Sequence, residues 1–319
     1  MTDWRAMGIE GRAQLPVIVE GVSKRFGAVQ VVSDLSFEIR AGEVLGFLGP
    51  NGAGKTTMMR MILDIIRPDS GRIEVFGGQP GVAQQERIGY LPEERGLYRD
   101  VSAVETLTYF GSLKGLSATE ARQRAEGLLR ELGLAESLAK KAGELSRGMH
   151  QKVQVIATIL HRPDLLILDE PFQGLDPVNA GLLREQVTAQ RDRGAAVVMS
   201  THDMNEAQAL CDRLLLIDRG RRVLYGTLAE IRRGYSSGAV EVVGEAVPVA
   251  AEELRSVSEA LSVDGGMRYL LRDGASPTDL FRELAAAGAQ VTRFEVAEPT
   301  LAEIFIRAVA GSEAAGAAA

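Results

Sequence analysis

From Val17 onward, short apolar runs alternate with glycine-containing breaks. Val17-Ile18-Val19, Val29 to Val32 and Leu35 to Ile39 change between apolar and polar with period two, which predicts half-buried antiparallel strands. A second kind of run is apolar throughout: Val44 to Leu48, Leu165 to Leu168 and Ala195 to Ser200. Continuous runs of this length, bounded by turn residues, predict strands buried on both faces of a parallel sheet. Thr57 to Leu63 is built from good helix formers, Pro68 to Gly71 is a turn, and Arg72 to Phe76 and Ile88 to Leu91 read as further strands. Between about 100 and 160 the period becomes helical, with Ala121, Ala125, Leu128, Leu129 and Leu132 on one face and Arg/Glu between them. Further helices are predicted from Leu145-Ser146 through Leu160 and over Val178 to Arg193, and a strand over Leu214 to Ile217.

At Arg232 to Gly238 the composition turns linker-like, which places a domain boundary there. Residues 16-233 form the first domain, with a helical subdomain at about 95-160, and 234-310 a small α+β domain. The latter has strands at 239–243, 267–271 and 290–294 and helices at about 250–261 and 278–287. Residues 1-15 read as an irregular extension and 311-319 as a low-complexity, disordered tail.

Composition changes this picture little. A 319-residue chain with 25% charged and 45% hydrophobic residues is an ordinary globular protein, and a net charge of −7 argues against a general nucleic-acid binder. The single cysteine, Cys211, excludes an internal disulfide and reads as a small buried apolar residue. No cysteine/histidine cluster suits zinc, and neither a signal peptide nor an 18-residue apolar run is evident, so the chain is not expected to cross a membrane by itself.

The chemistry concentrates at Gly49-Pro50-Asn51-Gly52-Ala53-Gly54-Lys55-Thr56-Thr57, a P-loop pattern lying between a predicted strand and a predicted helix. Its glycines let backbone N–H groups surround phosphate oxygens, Lys55 would reach the β- and γ-phosphates, and Thr56 would ligate Mg²⁺. Asp169, at the end of a buried strand, supplies the carboxylate that such a site needs near the metal. Glu170 is placed to act as a general base on water. His202, just past another buried strand, is within reach of a γ-phosphate. His150 and His161 read as helix-surface residues. Phe26 is either an adenine-stacking ring or a core residue at a strand end.

Assembled, these motifs resemble those of the ABC transporter ATP-binding subunit over about residues 17 to 230. Gly49 to Thr56 matches Walker A, Leu165 to Glu170 Walker B, Leu145 to Met149 the signature, Asp176 the D-loop and His202 the switch histidine. The resemblance implies an α/β P-loop NTPase, a RecA-like core with an antiparallel β subdomain and a helical insertion. It also implies ATP and Mg²⁺ as cofactors, and Phe26 packing on adenine. A head-to-tail dimer follows, in which Ser146 and Gly148 of one subunit cap the nucleotide held by the other. The chain departs from the pattern at Arg147, where glycine is usual, at Met149, where glutamine is usual, and at Glu93, which replaces a glutamine. Glu93 accepts but cannot donate hydrogen bonds and is expected to face Mg²⁺ or the attacking water. Glu298 to Ile306 resembles the end of sodium-extrusion and drug-efflux ABC exporter ATPases. Those carry an accessory domain and work with a separate membrane permease on the cytoplasmic face. Docking on that permease is expected through Glu93 to Tyr98 and the helix near Val101 to Phe110. The rival reading is a soluble ABC ATPase acting on ribosomes or DNA. Against it stand a single cassette, no sustained heptads and no zinc cysteines. A dead-site regulatory subunit is disfavoured because Lys55, Asp169, Glu170 and His202 are all present.

Overall fold

The computed structural model describes residues 15–93, 96–235, 238–245, 247, 250–263, 265–297 and 299–317. The predicted extension up to residue 14, Glu94-Arg95, Ser236-Ser237, Glu298 and the last two residues lie outside the described residues. The chain divides into two units, the first ending at Thr227 and the second beginning at Leu228. The boundary therefore falls before Arg233, and a short helix over Leu228–Gly234 goes with the second unit.

In the first unit the continuous apolar runs become parallel strands, as their pattern predicts. β1 (Val17–Phe26), β2 (Val29–Ile39) and β4 (Ser70–Val75) form an antiparallel sheet in the order β2-β1-β4. β3 (Val44–Leu48), β5 (Ile88–Leu91), β6 (Leu165–Asp169), β7 (Ala196–Thr201), β8 (Arg213–Asp218) and β9 (Arg221–Thr227) make the second sheet, ordered β5-β6-β7-β3-β8-β9. All its pairs are parallel except β8 with β9. β9 is not evident from the patterning, because its side chains are half-buried or exposed rather than alternating cleanly. Every residue of β3, β6 and β7 is buried, as a strand covered on both faces requires. Phe37, Phe47, Met58 and Val198 belong to one core that joins the two sheets to α1 (Lys55–Ile62).

The helical insertion lies between β5 and β6: α2 (Ala103–Leu113), α3 (Ala118–Glu131) and α4 (Arg147–Ile159). Serine opens each helix. Ser102, Ser117 and Ser146 accept from the backbone N–H of Glu105, Glu120 and Met149, and Ser102 with Glu105 completes a capping box. Their apolar stripes meet in a separate core that includes Leu107, Ala125, Leu129, Val153 and Ile156. α5 (Pro177–Asp192) and α6 (Met204–Leu210) complete the unit. Cys211 is buried as expected, and burial pushes its thiol up to about 12, so it is chemically inert.

The second unit contains α7 (Leu228–Gly234) and an antiparallel sheet, β11-β12-β10-β13, formed by β10 (Ala239–Glu245), β11 (Val257–Val263), β12 (Gly266–Leu271) and β13 (Gln290–Val296). α8 (Pro277–Ala286) packs Leu280 and Leu284 into its core, and α9 (Leu301–Ala317) closes the chain. Two expectations fail here. The segment 250–261 is not a helix, since Val257–Val263 pairs as an edge strand with β12. Asp264-Gly265 carried the hairpin signal; Gly265 takes φ 79° and Val263 pairs with Gly266 across it. Residues 311–317 are also not irregular: alanine is the best helix former, and the helix continues to Ala317.

His161 is a third correction, because it is buried rather than on a helix surface. Its Nε2 lies 3.1 Å from the Ile88 carbonyl, which can only accept, so Nε2 carries the proton. Burial first, then the charge of Lys114, lowers its pKa from 6.5 to about 4. Above pH 6.5 the folded and unfolded rings are both neutral. As pH falls toward 4 only the unfolded ring gains a proton, so folding loses stability in that window. Between pH 7 and 4.5 the parent should lose about 2–3 kcal/mol more unfolding free energy than His161→Gln, as measured by urea titration; equal losses would contradict this burial.

Candidate nucleotide site

The loop from Gly49 to Gly54 leaves the C-terminal end of β3 and enters α1, and its backbone requires glycine at both ends. Gly49 has φ 150°, and a Cβ there would sit 2.1 Å from the Ile217 carbonyl oxygen. Gly54 has φ 106°, and its Cβ would sit 2.6 Å from the Val31 carbonyl. The loop borders a cavity of about 290 Å³, lined by every residue from Pro50 to Thr57 together with Val31, Glu93 and Glu170. Gly49 itself contributes its carbonyl, which accepts from Lys55 Nζ at 2.6 Å.

Strand register brings the distant residues to this loop. Leu48 pairs with Thr201, and Asp169 with Ser200, so the ends of β3, β6 and β7 lie side by side. Asp169 is 1% exposed. Its Oδ1 accepts from Ser200 Oγ at 2.6 Å and from Thr56 Oγ1 at 3.2 Å, while its Oδ2 is buried with no hydrogen-bond partner among the described residues. Glu170, also buried, takes φ 45° and donates its backbone N–H to the same Ser200 Oγ at 2.9 Å. Its carboxylate lies 3.5 Å from Lys55 Nζ on one side and 3.0 Å from His202 Nδ1 on the other. A buried carboxylate held between an ammonium and an imidazole, at the mouth of a glycine loop, can orient a water and take its proton.

Ser200 and Val31 were not among the predicted site residues. The signal for Ser200 was a hydroxyl directly after the apolar run Val197-Val198-Met199, at the strand end where Asp169 also ends its run. Glu93 lines the loop cavity and is exposed. Phe26 does not line that cavity; it is 47% exposed at the end of β1, with Lys24 Nζ 5.4 Å above its ring. Ser146, Gly148 and Asp176 do not line that cavity. Asp176 caps α5 by accepting from Val178 and Asn179, bonds that hold its carboxyl below the usual range. Asn179 Nδ2 lies 2.7 Å from where a Cβ on Gly148 would stand, so the signature helix and the D-loop touch there. His150 is half-buried rather than a surface residue, and shares a polar cavity with Arg99 and Arg147.

Residues 32–173 match the model of the ABC transporter family. An uncharacterized ABC transporter ATP-binding protein of Alkalihalophilus pseudofirmus is 40% identical over 82% of this chain and 98% of that protein. The chain belongs to the ABC transporter ATP-binding proteins. It is thus an ATPase subunit. Residues 226–309 match the C-terminal domain of DrrA1-3-like ATP-binding proteins. The Nod factor export ATP-binding protein I of Ralstonia nicotianae is 37% identical over 80% of this chain and 81% of its own. The solved structure of an ATP-binding subunit of an ABC transporter superposes with TM-score 0.64 at 34% identity, covering 69% of this chain and 92% of that one.

Ser200 is the hinge of this arrangement, because one hydroxyl fixes the Asp169 carboxylate and the Glu170 backbone. Ser200→Ala should lower ATPase activity by roughly 10–100-fold and raise the Mg²⁺ concentration needed for half-maximal rate. Unchanged Mg²⁺ dependence would remove Ser200 from the site.

Proposed function

We propose that this chain is the ATP-hydrolysing subunit of an exporter, working as a head-to-tail dimer around two Mg-ATP and docked on a separate membrane permease at the inner face of the cell membrane. The observation that carries the hydrolytic part is the chain Lys55–Glu170–His202 beside Asp169, whose Oδ2 is buried without a partner. Such an orphaned oxygen next to the Thr56 hydroxyl is a donor set that fits a hard cation, and Thr56 and Asp169 would hold Mg²⁺ there, with exposed Glu93 able to join them. When bound, Mg²⁺ neutralises charge on phosphate oxygens.

In this reading the loop N–H groups and Lys55 bind the β- and γ-phosphates, and Lys55 gives up its contacts to Gly49 and Pro50 to do so. Glu170 accepts a proton from water as the water oxygen bonds to the γ-phosphorus and the bridging oxygen leaves with ADP. His202 holds the Glu170 carboxylate at 3.0 Å and keeps its lone pairs directed. Ser146 and Gly148 open α4 and do not line the loop cavity of their own chain, which suits them to cap a nucleotide bound by a second copy. The export direction is supported by the relative named for Nod factor export. Docking is supported by an apolar groove of about 280 Å³ containing Leu97, Phe110 and Leu113, with Tyr98 exposed nearby. Among the described residues no helix is long and apolar enough to cross a membrane, so the transmembrane path falls to a partner.

Glu170→Gln keeps the size and the hydrogen bonds but loses basicity. Turnover should fall by about 10²–10⁴-fold with ATP binding retained, and light scattering should find a dimer in Mg-ATP. Near-normal turnover would remove Glu170 from the base role, and a monomer in ATP would contradict the clamp.

A further inference from the structure

Three cavities in the first unit are joined by two side chains. Glu93 lines both the nucleotide cavity and a polar cavity of about 680 Å³ that includes Arg99, Arg147 and His150. Gln154 lines both that polar cavity and the apolar groove containing Leu97 and Phe110. Gln154 lies on α4 and is 6% exposed, yet neither its Nε2 nor its Oε1 has a hydrogen-bond partner among the described residues. A primary amide buried with both ends unpaired is destabilising, and nearly all buried polar groups avoid it. A leucine at this position of the helix would fill the space without that cost. Gln154 is therefore built for a partner that reaches it in another state of the protein.

The chemistry of the neighbours selects that partner. The Glu93 carboxylate offers acceptors, whereas the Gln154 amide nitrogen offers two donors. Glu93 is exposed on the loop after β5 and faces the same cavity as Gln154. We infer that Gln154 is the positioning partner of Glu93. When the nucleotide site fills, one Glu93 carboxylate oxygen faces it and the other accepts from Gln154 Nε2. That bond fixes the loop against α4 and leaves Gln154 Oε1 directed at the groove. A carboxylate at position 93 thus finds its donor on the signature helix. The pair runs from the nucleotide to the surface where a permease would sit. This rests on the reading that Glu93 serves the nucleotide site, and the test separates the two.

The test is a double-mutant cycle on the full chain, with steady-state ATPase, ATP affinity and melting temperature measured for Gln154→Leu, Glu93→Ala and the double variant. Gln154→Leu should melt no lower than the parent and bind ATP as the parent does. Its kcat should fall roughly 5–10-fold, and the double variant should be no slower than Glu93→Ala alone. Gln154→Met, unbranched like glutamine, replaces leucine in the cycle should the latter lower the melting temperature. Parent-like kcat in Gln154→Leu alongside a slow Glu93→Ala would overturn the pairing and reduce Gln154 to a packing defect. Losses that multiply in the double variant would overturn it equally, since the two residues would then act independently. A Glu93→Ala variant as fast as the parent would remove Glu93 itself from the nucleotide site, and the pairing with it.

Discussion

The site depends on one register. Parallel pairing sets Asp169 beside Ser200, and a single buried hydroxyl then binds the Asp169 carboxylate and the Glu170 backbone at once. A slip of one residue between β6 and β7 would turn every side chain to the opposite face and separate these groups. The register is held by continuous apolar burial on both faces, not by the polar contacts themselves. Hydrophobic packing therefore specifies a position that chemistry then uses.

On the proposed reading the chain carries its nucleotide contacts in two places. The P-loop and the carboxylates gather at the ends of β3, β6 and β7, where open α/β sheets bind ligands. Ser146 and Gly148 gather instead at the start of α4, on the helical insertion with its own core. Between them lies the loop after β5, with Glu93 on one side and the apolar groove on the other. An insertion with an independent core can move as a body, as the proposed coupling to a docked partner requires.

Much of this was legible in the residues. Gly49, Gly54, Lys55 and Asp169 could be placed because phosphate chemistry demands those types in that order, and buried parallel strands announce themselves as apolar runs. Ser200 was harder, since a serine at a strand end has many ordinary explanations and only the register sets it between the Asp169 carboxylate and the Glu170 backbone N–H. His161 and Gln154 were invisible for a related reason: Gln154 on α4 and His161, in the turn just past its end, are covered by β5 and its loop. The second unit misled through composition. Ala, Glu and Leu around 250–261 favour a helix, but an edge strand paired to β12 prevailed over local preference.

The central claim is that each catalytic site is shared between two copies, and complementation tests it directly. Lys55→Ala removes the phosphate lysine from one chain, and Ser146→Phe blocks the capping half of another. Each alone should be nearly inactive. Mixed, they form heterodimers in which the intact loop of the second chain meets the intact Ser146 of the first, and ATPase activity should return. A mixture as inactive as its components would contradict a composite site.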